Sequence, residues 1–195
     1  MKHIGFLGGT FDPIHFGHIH LGISLQEAHG LDEVIVCPTA CSPLKKSLPK
    51  DGKHRLEMIR LAITEIPHWH LLDWEVKQSP PSYTIDTIRY LLKNVYHQGD
   101  VQMHLLIAED ALDNLMRWKE IQELLEIAPP LIGCRDSLRQ RHDFILSSKV
   151  QAGITNTKVL EISATEIRDR LKKGLYCGHL VPAKVLDYIT LHQLY

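Results

Sequence analysis

Two histidines that closely follow a pair of glycines are the residues of this chain best suited to chemistry. Gly8 and Gly9 close an apolar run near the N-terminus, and Thr10, His15 and His18 follow shortly afterwards. Glycines let the backbone approach an anion, and the first N–H groups of a helix point towards it. Histidines three positions apart share one face of a helix. The spacing therefore predicts a polyphosphate site and chemistry on a nucleoside triphosphate.

A second candidate anion site lies in the last quarter of the chain. Ser163 and Glu166 have the spacing of a capping box at a helix start, with Thr165 between them and Arg168 one turn into the helix. Two hydroxyls, the first N–H groups of a helix and a guanidinium suit phosphate oxygens. Alone, the pattern also fits a helix that is simply well capped. Together, the two motifs predict that the protein binds both ends of a triphosphate.

Composition narrows the class of protein. The chain has 195 residues, 44% of them hydrophobic, and a net charge of −1, which suits one globular domain spanning residues 1–195. The balanced charge argues against nucleic acid as a partner, and no apolar run has the length of a membrane span. The four cysteines lack the paired spacing of a zinc site. We therefore expect reduced thiols in a cytoplasmic protein that holds no metal through its own side chains.

Segments of strand and helix type alternate along the chain. Predicted strands cover residues 2–7, 33–37, 70–73, 101–107, 130–134 and 158–161. Predicted helices cover residues 16–29, 55–66, 80–96, 163–173 and 182–192, with a further helical stretch that ends at residue 125. This alternation predicts an α/β fold: a Rossmann-like, doubly wound parallel sheet with helices on both faces and a small C-terminal helical portion. Ligands bind at the carboxyl ends of the strands in such folds.

Three segments resemble one known family, the bacterial nicotinate mononucleotide adenylyltransferases of the nucleotidyltransferase superfamily. Residues 8–18 match the signature G-G-T-F-D-P-x-H-x-G-H, and residues 162–168 are similar to the motif I-S-(S/A)-T-x-I-R. Residues 81–87 look like the P-S-Y-T-x-D-T segment, and Trp118 falls where the family carries a tryptophan. The resemblance covers nearly the whole chain. It implies that the chain is an enzyme that transfers an adenylyl group.

The resemblance also implies roles for individual residues. His15, His18 and Arg168 would be the catalytic residues, with His18 placed to stabilise the transferring group. The ATP-binding set would be Gly8, Gly9, Thr10, His15, His18, Asp110, Ser163, Thr165 and Arg168. The acceptor-binding set would be Thr39, Lys45, Tyr83, Thr84 and Trp118, with Trp118 stacked on the pyridine ring. Packing alone would also explain an aromatic residue at the Trp118 position.

The implied reaction joins ATP to a pyridine mononucleotide. The acceptor phosphate attacks the α-phosphorus of ATP in line and pyrophosphate leaves, so the protein chiefly positions two anions and neutralises growing charge. Mg²⁺ is expected on the ATP phosphates. Asp12, inside the first motif, is as well suited to capping a turn or orienting a histidine as to touching substrate.

Two departures from the family pattern bear on the acceptor and on ATP. After the second strand the family has P-N-x-x-P-P-H-(K/R), whereas this chain carries Thr39 and Leu44 in place of the asparagine and the histidine. The family's G-x-D after the fourth strand begins here with Ala108. Three functions therefore stay open: adenylation of nicotinate mononucleotide, adenylation of nicotinamide mononucleotide or another phosphate acceptor, and nucleotide binding without catalysis. The oligomeric state is open too, a homo-oligomer included.

Overall fold

A parallel sheet lies at the centre of the computed structural model, which describes residues 1–41, 48–97, 99–134, 148–158 and 160–195. In these ranges six strands pair in the order β3-β2-β1-β4-β5-β6, all parallel. The strands are β1 (Lys2–Gly9), β2 (Glu33–Pro38), β3 (Trp69–Leu71), β4 (Val101–Ala108), β5 (Pro130–Cys134) and β6 (Ile154–Asn156). The order reverses between β1 and β4, and a crevice for ligands opens at such a reversal.

Helices cover both faces of the sheet, as the alternating sequence predicted. In the described ranges they are α1 (Phe16–His29), α2 (Gly52–Ile63), α3 (Thr84–Asn94), α4 (Leu112–Leu115), α5 (Ile121–Ile127), α6 (Ser148–Ala152), α7 (Ala164–Lys172) and α8 (Ala183–Leu191). One apolar core lies between the sheet and helices α1, α2, α7 and α8. The other lies between the sheet and α3 to α6. The doubly wound, Rossmann-like α/β prediction is confirmed, including its C-terminal helices.

The predicted strand at residues 158–161 is wrong. The sixth strand lies earlier, at Ile154–Asn156, and pairs with β5 from Ile132 to Cys134. Just beyond it, the Thr157 N–H still donates across the sheet to the carbonyl oxygen of Cys134 in β5, and the Ile162 N–H donates to the nearby carbonyl oxygen of Leu160. The chain then reaches the start of α7 at Ala164. Leu160, Glu161 and Ile162 line the cleft instead of extending the sheet.

The start of α3 also differs from the prediction. The helix begins at Thr84 instead of Pro80, and Tyr83 is its extended N-cap residue. Proline has no N–H and restricts the residue before it to extended backbone, so the Pro80–Pro81 pair stays outside the helix. The Ser82 N–H donates to the carbonyl oxygen of Cys41, which ties this extended segment to the chain after β2.

Candidate active site

The two predicted phosphate sites form one cleft. It has a volume of about 1000 Å³ and lies at the carboxyl ends of β1 and β4, between the start of α1 and the start of α7. The structure brings the whole predicted ATP-binding set and one acceptor residue to its walls: Gly8, Gly9, Thr10, His15, His18, Asp110, Ser163, Thr165, Arg168 and Trp118. Residues from opposite ends of the sequence thus surround one space.

The histidine pair sits at the start of α1. His15 is the extended N-cap residue of that helix, and its N–H donates to Nδ1 of His18 at 3.3 Å. The two imidazole rings stack with their centroids 3.7 Å apart. Because Nδ1 of His18 accepts a hydrogen bond, the proton of a neutral His18 ring belongs on Nε2. His18 is thereby oriented by the backbone of its partner histidine.

Gly17 makes this close packing feasible. A Cβ atom at this position would lie 3.0 Å from Nδ1 of His15 and 3.2 Å from the carbonyl oxygen of Leu160. Both distances are tighter than ordinary carbon contacts, and the second involves backbone that cannot easily move. The glycine of the histidine motif therefore lets the segment before α7 approach His15.

Burial controls the charge of His15. His15 is only 5% exposed, and burial lowers its pKa to about 4. Desolvation disfavours the charged imidazolium, so His15 is neutral near pH 7. A neutral His15 avoids placing two positive rings in contact, and it leaves the cleft with donors whose hydrogen bonds suit phosphate oxygens.

The second motif starts α7 and is joined to the first. Ser163 is the N-cap residue, and its Oγ accepts a hydrogen bond from the Thr165 N–H at 3.2 Å, one residue before the Glu166 position of the predicted capping box. Arg168 donates from Nη2 to Thr165 Oγ1 at 3.1 Å and from Nη1 to the carbonyl oxygen of Asp12 at 2.7 Å. A single guanidinium thus connects the two ends of the cleft.

The Asp12 carboxylate accepts hydrogen bonds from two distant parts of the chain. Its Oδ1 accepts a hydrogen bond from the hydroxyl of Tyr195 at 2.5 Å, and its Oδ2 accepts one from the Lys50 N–H at 3.3 Å. The carboxylate is buried, and burial together with this hydrogen bond raises the pKa of Tyr195. Asp12 therefore holds the turn between β1 and α1 against the chain before α2 and the residues after α8.

The predicted acceptor residues do not all meet in the cleft. Trp118 lines the cleft and also packs against the core of the α3 face. Thr39, Tyr83 and Thr84 are not among the cleft residues, although the Thr39 N–H donates to the carbonyl oxygen of Gly9 at 2.9 Å. Nζ of Lys119 lies over the ring of Tyr83. The predicted contact at Lys45, like the Leu44 departure, lies outside the described residues.

Sequence reasoning missed Arg55. Its guanidinium is buried beside the cleft and donates to main-chain carbonyl oxygens, including that of Thr10. The available signal was its position on α2, where Arg55, Met58, Ile59 and Ile63 form one buried stripe. A charged residue inside an apolar helical stripe indicates a buried polar contact, because burial of an unpaired charge is strongly unfavourable.

The described ranges contain neither a metal-binding cluster nor a membrane-spanning helix. These residues contain no cluster of three or more histidine, cysteine or acidic side chains that could hold a metal ion. Among the helices in the same ranges, none combines the length and apolar character needed to cross a membrane.

Comparison with known proteins identifies the family. Residues 6–170 match the model of the cytidylyltransferase-like family. A "Probable nicotinate-nucleotide adenylyltransferase" of Herpetosiphon aurantiacus is 35% identical, covering 100% of this chain and 99% of the relative. One of the same name from Oceanobacillus iheyensis is 34% identical, covering 100% and 97%.

Solved structures agree on the fold. Plasmodium falciparum nicotinic acid mononucleotide adenylyltransferase, solved in complex with NaAD, superimposes with a TM-score of 0.72 at 23% identity, covering 100% of this chain and 98% of that one. The same enzyme complexed with APC gives a TM-score of 0.73. The chain belongs to the cytidylyltransferase-like family and, within it, to the nicotinate-nucleotide adenylyltransferases.

Proposed function

We propose that this protein transfers the adenylyl group of ATP to nicotinate mononucleotide, which gives nicotinate adenine dinucleotide and pyrophosphate for NAD biosynthesis. The observation that carries the proposal is the joining of two phosphate-binding motifs into one cleft by the Arg168 guanidinium. The full-length relatives support the same reaction. A triphosphate has anionic groups along its length, and the cleft offers donors at both ends.

In this proposal the protein works by position and charge. His18 donates from Nε2 to an oxygen of the α-phosphate, where negative charge grows as the acceptor phosphate attacks in line. Thr10 and the Gly8–Gly9 backbone line the same end of the cleft. The start of α7, with Ser163 and Thr165, holds the β- and γ-phosphates that leave as pyrophosphate. Fixed donors aimed at developing charge account for a large part of such catalysis.

Mg²⁺ enters this proposal with the ATP. The donors around the cleft are N–H groups, hydroxyls and imidazoles, which fit phosphate oxygens, while the phosphate oxygens themselves are hard ligands that fit Mg²⁺. When bound, the ion would neutralise charge on the phosphates. Asp110 would contact the ATP ribose from the end of β4.

The acceptor end of the proposal centres on Trp118. Its indole would stack on the pyridine ring of the mononucleotide, with Tyr83 and Thr84 enclosing that ring and Thr39 and Lys45 near the acceptor phosphate. The Thr39 segment already contacts the glycine turn of the ATP site through Gly9. An acceptor held at Thr39 would therefore lie next to the triphosphate.

Pyrophosphate release tests the function directly. The purified protein is given ATP, Mg²⁺ and one acceptor at a time: nicotinate mononucleotide, nicotinamide mononucleotide, or phosphopantetheine. We expect the highest kcat/KM with nicotinate mononucleotide and a dinucleotide product that contains its ring. A higher kcat/KM with nicotinamide mononucleotide would reassign the acceptor. Binding of ATP with no turnover on any acceptor would instead indicate a non-catalytic nucleotide-binding protein.

A further inference from the structure

The guanidinium of Arg55 hydrogen-bonds to three separate stretches of backbone. Nη1 donates to the carbonyl oxygens of Thr10 at 2.9 Å and Thr39 at 2.7 Å. Nε donates to the carbonyl oxygen of Lys50 at 2.8 Å, and Nη2 makes a longer contact of 3.5 Å to that of Ala40. With the side chain only 1% exposed, water does not replace these partners.

The stretches that Arg55 joins belong to different halves of the site. Thr10 ends the glycine turn after β1, on the proposed ATP side, and lines the cleft. Thr39 and Ala40 follow β2, at the start of the proposed acceptor segment. The main chain of Lys50 links Arg55 to Asp12, because its carbonyl oxygen accepts a hydrogen bond from Arg55 and its N–H donates one to Asp12 Oδ2. One planar group therefore bridges the ends of two neighbouring strands, beside the main-chain bond from the Thr39 N–H to the Gly9 carbonyl oxygen.

The acceptor segment is held from its other side as well. The Ala40 N–H donates to Oγ of Ser82 at 2.9 Å, and the Ser82 N–H donates to the carbonyl oxygen of Cys41 at 3.1 Å. These bonds attach the segment to the chain before α3. From the side of α2, Arg55 ties the same segment to the ATP-side turn.

We propose that Arg55 is a positioning residue that fixes the Thr39–Cys41 segment against the Thr10 turn, so that the acceptor phosphate meets the α-phosphorus of ATP in line. This inference rests on the proposed adenylyl transfer. Arginine suits the task because its donors point in fixed, divergent directions, whereas a lysine ammonium is a point donor on a flexible stem. A displacement of about 1 Å between reactants lowers a rate by about 100-fold.

Substitution of Arg55 tests whether this side chain positions the reactants. In Arg55→Lys and Arg55→Gln we expect kcat to fall by about 10- to 100-fold. The Kd of a non-hydrolysable ATP analogue should stay within about threefold of wild type, since no donor to the phosphates is removed. Arg60→Lys is the matched control, because Arg60 lies on the same helix, is exposed, and pairs with Glu57. It should leave both quantities unchanged.

Amide hydrogen exchange provides a readout that needs no activity. In Arg55→Lys the N–H groups of Thr39 and Ala40 should exchange faster, with exchange at Phe6 and Leu7 in β1 unchanged. If the wild-type protein shows no turnover with any acceptor, the proposed function is wrong. The exchange rates at Thr39 and Ala40 still test whether Arg55 fixes this segment.

Three results would overturn the proposal. The first is an unchanged kcat in a folded Arg55 variant, and the second is unchanged exchange at Thr39 and Ala40. The third is failure of both variants to reach a Tm within about 5 °C of wild type, since the side chain would then hold the fold as a whole.

Discussion

Arg168 Nη1 donates a hydrogen bond to the carbonyl oxygen of Asp12 at 2.7 Å, across 156 residues of sequence. The same guanidinium reaches Thr165 Oγ1, so the start of α7 and the turn before α1 are held at a set distance. Because arginine donors have fixed directions, this contact defines the length of the cleft between the two phosphate motifs.

Removing the His18 imidazole should mainly lower kcat. We expect His18→Ala to reduce kcat by about 100- to 1000-fold, which is the effect of losing one donor to transition-state charge. The KM for ATP should change much less, because the contact strengthens as charge develops. Steady-state pyrophosphate release measures both. His97→Ala is the control, since His97 is exposed and lies after α3; equal losses in the two variants would remove the role given to His18.

Replacing Arg168 with lysine should weaken ATP binding. One ammonium cannot keep both the Asp12 and the Thr165 contacts, so we expect the KM for ATP in Arg168→Lys to rise by about tenfold or more. Arg170→Lys on the same helix is the control, because Arg170 donates to the carbonyl oxygen of Tyr176. If the KM for ATP rises equally in both variants, the proposed role of Arg168 in ATP binding is wrong.

Trp118 should influence the acceptor and not ATP. We expect Trp118→Ala to raise the KM for nicotinate mononucleotide by about tenfold, equivalent to about 1.4 kcal/mol of stacking, while Trp118→Phe keeps most of the affinity. The KM for ATP should stay within about twofold. Trp74→Phe is a suitable control, because Trp74 stacks on Tyr90 and neither residue lines the cleft. A rise in the ATP KM alone would contradict the stacking assignment.

The Tyr195 hydroxyl should stabilise the fold through Asp12. Tyr195→Phe leaves a buried carboxylate oxygen without its 2.5 Å donor, and we expect the free energy of unfolding to fall by about 1–3 kcal/mol. Urea denaturation measures the change. Tyr176→Phe, at a side chain that is 72% exposed, should alter stability by less than about 0.5 kcal/mol. Equal stability of both variants would show that the Asp12 bond adds nothing.

Stability should fall as the pH falls from 6.5 towards 4. Burial lowers the pKa of His15 to about 4, and burial with the charge of His3 does the same for His104. Unfolding restores ordinary values near 6.5, so the unfolded chain binds protons that the native state does not. The histidine contribution is therefore complete above pH 6.5 and is lost progressively down to about pH 4.

Urea denaturation between pH 7 and pH 5 measures this contribution, and a histidine variant separates it from that of Glu75, whose carboxyl pKa is raised by burial. We expect His104→Gln to flatten the pH dependence relative to wild type, and His97→Gln to leave it unchanged. A wild-type free energy of unfolding that is constant over this range would rule out buried neutral histidines.

Several features were predictable because they depend on neighbours in sequence. The glycine pair and the histidine spacing located the turn between β1 and α1, and the Ser163 cap located the start of α7. Strand and helix alternation predicted the parallel sheet. Such signals depend on backbone preferences and periodicity within a few residues. The same short range explains the error at residues 158–161, because a short apolar pattern does not show whether a partner strand lies beside it.

The sequence by itself determined the local elements, the two phosphate motifs and the family resemblance. Only the tertiary structure decided which residues meet: Arg168 with Asp12, Arg55 with Thr10 and Thr39, and Tyr195 with Asp12. It also decided that His15 is neutral near pH 7. These properties depend on burial and on hydrogen bonds between distant segments, which arise once strand order brings the carboxyl ends of β1 and β2 side by side.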